Sequence, residues 1–240
     1  HDLGDPAIAR RLRMFALGGA EVELAGFQRG PMGGTAPPDL PGPLVLGQTA
    51  DARMAQRAMA VSRVLAHGMP ALEARFDGVE AIVARNLEML AIARALHRRM
   101  GGRPRLVYEI LDLHRMLTAP GPAGRAMRVL QARLGRAVDL VLTSSPAFVT
   151  QHLGAMPFAD RIILVENKVL TEGPRPAHPP PSPPAPPFRI GWFGALRCRR
   201  SFDLLSGLAG QQAHGHGAQQ QQRSAVGQRF VQHVTQRHGL

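Results

Sequence analysis

RLVYEILDLHRMLTAPGPAGRAMRVLQARLGRAVDLVLTSSPAFVTQH, residues 105–152, is the stretch that decides the fold. Arg105 to Leu111 is an apolar run that stops at the polar loop Asp112-Leu113-His114-Arg115. A strand with one wet face alternates apolar and polar residues; a near-continuous apolar strand belongs inside a parallel sheet covered on both faces. Gly121 to Gly135 follows as a basic amphipathic helix, and Val138 to Leu142 is a second apolar strand. Thr143-Ser144-Ser145-Pro146 then opens a helix that runs to His152. Strand, helix, strand, helix is the signature of an α/β layer structure.

The alternation continues outward in both directions. Asn86 to Met100 is the strongest helical pattern, with Asn86 expected as its cap and Gly101-Gly102 as its stop. Val79 to Ala84 is a short strand before it, and Ile162 to Val165 is the last strand, ending at Glu166-Asn167-Lys168. Toward the start, Ala52 to Ala66 is a helix, Leu44–Leu46 a short strand, 28–43 a Gly/Pro-rich loop and Ala20 to Phe27 an alternating strand. Asp5 and Pro6 suit the cap and first turn of a helix ending at Gly18-Gly19. HDLGDPAIARRL reads as the loop and helix that follow a strand, and that strand is expected before His1. The expected fold is therefore a Rossmann-like parallel sheet with helices on both faces. Such sheets bind ligands outside the carboxyl ends of their strands, which here carry Asp112, His114, Ser144, Ser145, Asn167 and Lys168.

A proline strip then breaks the pattern. Residues 174–187, PRPAHPPPSPPAPP, hold nine of the chain's 21 prolines. Proline fixes φ and lacks a backbone donor, so the strip is a semi-rigid extended linker. RIGWFGALRCRRS, residues 189–201, reads as the first strand and glycine turn of a second α/β domain. The expected organisation is a first domain over 1–172, a linker over 173–187, the start of a second, incomplete domain over 188–210, and a disordered Gln/His-rich tail over 211–240. The tail has no acidic residue and no sustained apolar period from which to build a core. Its His-Gly-His stretch has no carboxylate or cysteine beside it, so no metal site is expected.

Composition narrows the function classes. The formal net charge is +12, and 28 of the 29 basic residues are Arg. A solvated basic surface accounts for this; an arginine-rich nucleic-acid binder is the alternative, but no zinc pattern, basic-aromatic interleaving or recognition motif accompanies the charge. The same surface attracts sugar nucleotides and acidic lipid head groups. One cysteine, Cys198, excludes an internal disulfide and suits a reducing compartment. No apolar run approaches the ~20 residues needed to span a bilayer. A cytoplasmic protein, at most peripheral on the inner membrane face, is expected. No G-x-G-x-x-G follows a strand, which argues against a dehydrogenase.

The ordered segments resemble the N-terminal half and interdomain crossing of the retaining GT-B glycosyltransferases, which have two Rossmann-like domains. HDLGDPAIARRLRMFALGGAEVELAGF is similar to that family's opening, ARNLEMLAIARAL to its central strand-to-helix passage and YEILDLHRML to the strand and loop of the acceptor side. VDLVLTSSPAFV, and IILVENKVL followed by the linker and RIGWFGALRCRRS, complete the series. The resemblance covers residues 1–205 and points to bacterial exopolysaccharide enzymes of the succinoglycan type. It implies sugar transfer from a nucleotide-sugar to a polysaccharide or lipid-linked acceptor, with no cofactor besides the donor.

By that resemblance Gly194 is the glycine turn and Arg200 a diphosphate-binding position. Ala195 departs from the arginine often found there, and Arg197 is its substitute; a solvated helix face is the other reading of these arginines. His114 faces the sugar or caps the next helix, and Asp112 is an acceptor base or an Asx turn. Asp5, Ser144 and Ser145 line the cleft or cap helices; Asn167-Lys168 lines it or forms a surface turn. The family's donor-binding glutamates have no counterpart, since no acid follows Asp203. The chain is therefore expected to be inactive alone, and a non-catalytic Rossmann-like binding module is the competing reading.

Overall fold

The computed structural model describes residues 2–29, 42–49, 54–166, 202–204 and 206–207. The chain divides into two units, His1–Pro176 and Ala177–Leu240. In the second unit the described residues are helical. The proline linker, residues 188–200 and the tail 211–240 lie outside the described residues.

The first unit is an α/β fold of parallel sheets flanked by helices, as the apolar strands require. Helix α1, Pro6–Leu17, starts where Asp5 Oδ1 accepts from Ala7 N at 2.9 Å, with Pro6 in its first turn. Strands β1, Ala25–Gln28, and β2, Leu44–Gln48, pair in parallel. The ladder starts only at Ala25, because β2 begins at Leu44; residues 20–24 therefore lack the strand expected of them.

Helix α2, Met54–Arg63, does not end at Ala66 as expected. It widens into a π turn over Val64–Gly68 and resumes as α3, Met69–Arg75. Pro70 cannot donate to the turn behind it, and the wider turn carries the helix past that missing bond.

The main sheet has order β3-β4-β5-β6, all parallel. Its strands are β3 Ala81–Arg85, β4 Arg105–Ile110, β5 Leu140–Thr143 and β6 Ile162–Leu164. Helix α4, Asn86–Arg99, packs on β3 and β4. Its stop is as expected: Gly101 and Gly102 have φ near +70°, and their amides donate to Arg98 O and His97 O. Its start is not: Arg85 holds the cap position without a side-chain bond, and Asn86 sits at φ +70°. The short α5, Arg115–Thr118, and then α6, Pro122–Gly135, lead from β4 to β5. Helix α7, Pro146–Gln151, leads toward β6. Among the described residues no helix is long and apolar enough to cross a membrane.

Leu90, Leu106, Val141, Leu153 and Phe158 are completely buried at the centre. Tyr108 meets Phe158 edge to face, with ring centroids 6.3 Å apart. Gly135 makes room for that ring, since a Cβ there would stand 2.2 Å from Phe158 Cε1. A polar chain crosses the same core. Tyr108 OH accepts from Gln131 Nε2 at 3.2 Å, and Gln131 Oε1 accepts from His152 Nε2 at 2.7 Å. Burial pushes the Tyr108 phenol up to about 12. It also lowers the His152 pKa, with a further push from the Arg128 charge.

Gly135→Ala is expected to cost about 1–3 kcal/mol through overpacking against Phe158, read as a fall in Tm. His152 gives a pH test. Its folded pKa lies below the ordinary 6.5, so its contribution is complete above that pH and is lost as pH falls from 6.5 through the folded value. Tm measured from pH 7.5 to 5 should fall across that window, and His152→Gln should flatten the fall.

Candidate functional site

The carboxyl edge of the sheet is built around a charged group inside an apolar strand. Glu109 lies in β4 and is only 1% exposed. Its Oε2 accepts from Arg85 Nε at 2.7 Å, and its Oε1 lies 2.6 Å from Arg11 Nη2. Arg85 ends β3 and is buried as well. Its Nη2 reaches Ala7 O in the first turn of α1 at 3.5 Å. A buried charge is tolerable only when paired, and here one carboxylate serves two guanidinium groups, so the three side chains together carry one excess positive charge.

Directly after Arg85, Asn86 takes a left-handed conformation and passes from strand to helix without a loop. Asn is among the few non-glycine residues that adopt φ > 0 at modest cost, and such outliers cluster at binding sites. Asn86 lines a small open cleft. One wall is Phe27, Arg29 and Thr49, from the ends of β1 and β2. The other is Asn86 and Glu88, at the end of β3 and the start of α4, and Arg57 and Val61 of α2 close it. Arg57 Nη1 lies 3.5 Å from Glu88 Oε1. The cleft thus offers guanidinium and amide donors, a hydroxyl and a carboxylate beside one aromatic ring.

The residues singled out in the sequence fall on the same edge where they are described. Asp112 and His114 follow β4 and are exposed. His114 caps α5, its Nδ1 accepting from Met116 N at 3.2 Å. Ser144 follows β5 and donates to Leu111 O at 3.1 Å, which ties the β5 end to the Asp112 loop. Ser145 occupies the cap position of α7 without a side-chain bond. Asp5 caps α1. Asn167, Lys168, Gly194, Arg197 and Arg200 lie outside the described residues.

Sequence reasoning gave no site role to Arg11, Arg85, Glu109 or Arg57, and it named Asn86 only as a helix cap. A signal was present for two of them: IVAR and VYEI each place a charge in an apolar strand, and such charges must find partners. Glu109→Gln should cost about 3–5 kcal/mol in chemical denaturation, because it leaves the buried guanidinium of Arg85 and the half-buried one of Arg11 without a counter-charge. The triple replacement Arg11→Met, Arg85→Met, Glu109→Leu should recover most of that loss.

No protein-family profile matches the chain. It is similar to the succinoglycan biosynthesis protein ExoL of Rhizobium meliloti (strain 1021), with 44% identity over 221 residues. The match covers 85% of this chain and 52% of that protein, so the chain spans about half the length of the curated relative it matches.

Proposed function

We propose that the chain is the acceptor-side half of a retaining GT-B glycosyltransferase of exopolysaccharide assembly. One observation carries this reading: the 44% identity to a succinoglycan biosynthesis protein over most of the chain. The cleft at the carboxyl edge of a parallel sheet supports it, since that edge is where α/β folds hold ligands.

In the proposed reaction, the bond between the anomeric carbon of a nucleotide-sugar and its diphosphate oxygen breaks. The diphosphate leaves with the electron pair, and an acceptor hydroxyl oxygen bonds to the same carbon. Asp112, exposed beyond β4, takes the hydroxyl proton. His114 has Nδ1 engaged in its cap, which leaves Nε2 for a sugar hydroxyl. Asp5, Ser144 and Ser145 line the acceptor side. Arg57 and Asn86 hold a saccharide or lipid-linked acceptor, the positive charge favouring a diphosphate. The donor diphosphate falls to Gly194, Arg197 and Arg200, with Asn167 and Lys168 as further candidate contacts; backbone amides and guanidinium groups are the chemistry that such a leaving group needs. The +12 charge suits peripheral contact with an anionic membrane, where a lipid-linked acceptor resides.

The test uses the 240-residue chain, a set of radiolabelled nucleotide-sugars and a prenyl-diphosphate-linked saccharide. The chain should bind the prenyl-linked sugar, and Arg57→Ala should weaken that binding about tenfold, near 1.4 kcal/mol. It should transfer no label by itself. Failure of the unaltered chain to bind the acceptor analogue would sink the assignment; transfer by the chain alone would overturn its inactivity.

A further inference from the structure

Helix α6 has two unlike faces. Gly124, Arg128, Gln131 and Gly135 recur at helical spacing along its inner line. Gly124, Gln131 and Gly135 are buried there, and Arg128 donates to Leu117 O and Ala119 O, both at 3.0 Å. The opposite line carries Arg125, Ala126, Val129, Leu130 and Arg133, all exposed. Val129 is 49% and Leu130 44% exposed. A β-branched residue is a poor helix former, so helix propensity does not ask for valine at that position.

The cations on this line are set apart as well. Elsewhere Arg57, Arg99 and Arg105 each meet a carboxylate. Among the described residues Arg125 and Arg133 meet none, and the helix sequence PAGRAMRVLQARLG contains no acid. Arg125, Val129 and Arg133 are four residues apart, so the crest reads cation, apolar pair, cation over about 12 Å. A second copy of the chain does not suit this crest, because a two-fold contact sets its arginines against their own copies. A protein partner needs about 800 Å² of complementary surface, and two side chains on a convex crest offer little of that. A bilayer with anionic head groups needs no groove. It takes the apolar pair into its interfacial layer and sets phosphates beside the guanidinium groups.

We propose that the outer face of α6 is the surface on which this protein docks to an anionic membrane, with Val129 and Leu130 inserted among the head groups and Arg125 and Arg133 on their phosphates. This goes beyond attraction by the overall charge, because it selects one face and fixes an orientation. Helix α6 packs beside α4 and connects β4 to β5, so it runs along the sheet. A bilayer against its outer face lies along the strands, and the carboxyl edge with its cleft opens across the membrane surface instead of away from it. The crest is preformed, since Gln131 and Gly135 on the inner line are packed into the core. The inference does not depend on the sugar-transfer reading.

The test sediments the 240-residue chain with phosphatidylcholine vesicles, with and without phosphatidylglycerol. The chain should bind the anionic vesicles and not the neutral ones. Arg125→Gln with Arg133→Gln should weaken that binding about tenfold or more. Arg63→Gln with Arg103→Gln removes the same net charge from exposed arginines elsewhere and should weaken it about twofold or less. Val129→Ser with Leu130→Ser should weaken it about tenfold and leave its salt dependence unchanged. Equal weakening by the two arginine pairs would overturn the proposal, because the overall charge would then suffice. So would no binding by the unaltered chain, equal binding to neutral vesicles, or no effect of the serine pair. Dimerisation in solution that the serine pair abolishes would also overturn it and give the face to a second copy. A further variant covers the case in which the serine pair does not fold: Leu130→Trp in a chain carrying Trp192→Phe. Its emission should move to the blue on the anionic vesicles and be quenched by brominated acyl chains; unchanged emission counts against insertion.

Discussion

One buried carboxylate holds the carboxyl edge of this fold together. Glu109 reaches Arg85 on the neighbouring strand and Arg11 on the first helix, and so ties α1 to β3 and β4. Taking three charges out of water costs several kcal/mol per ion, roughly what their attraction returns. We therefore read the triad as a positioning device rather than a source of stability. A helix held by apolar contacts alone could slide or rotate by a fraction of a turn. A helix whose arginine must meet a carboxylate at 2.6 Å has one register.

That register has consequences along the edge. With α1 fixed, its leading residues lie against Phe27, and its first-turn carbonyl lies against Arg85. The end of β3 is pinned from both sides, and the chain turns at once into α4 through Asn86. The cleft forms where that abrupt turn faces the ends of β1 and β2. The Tyr108–Gln131–His152 chain plays a comparable part deeper in the fold, joining β4 to α6 and to the end of α7 through groups with no water to turn to.

Much of this was legible in the sequence. The parallel sheet followed from apolar runs such as Arg105 to Leu111, because only strands buried on both faces lose their alternation. Asp5-Pro6 and Gly101-Gly102 marked helix ends through local chemistry that needs no tertiary context. The edge carrying Asp112, His114, Ser144 and Ser145 followed from the order of elements alone. Other points were misread for reasons that act at a distance. The helix expected over Ala52 to Ala66 runs on to Arg75, because a π turn carries it past Pro70. Asn86 looks like a cap, yet it takes the left-handed conformation while Arg85 is drawn toward Glu109.

The sequence by itself determined the fold class, the order of strands and helices and which loops share the carboxyl edge of the sheet. These depend on period, punctuation and the hydrophobicity of short windows. Only the tertiary structure decided which charges meet. Arg11, Arg85 and Glu109 are far apart along the chain, and nothing local distinguishes Arg11 from its neighbours Arg10 and Arg13. Their meeting, and the cleft it shapes, depend on how one helix crosses two strands, and no window of sequence contains that geometry.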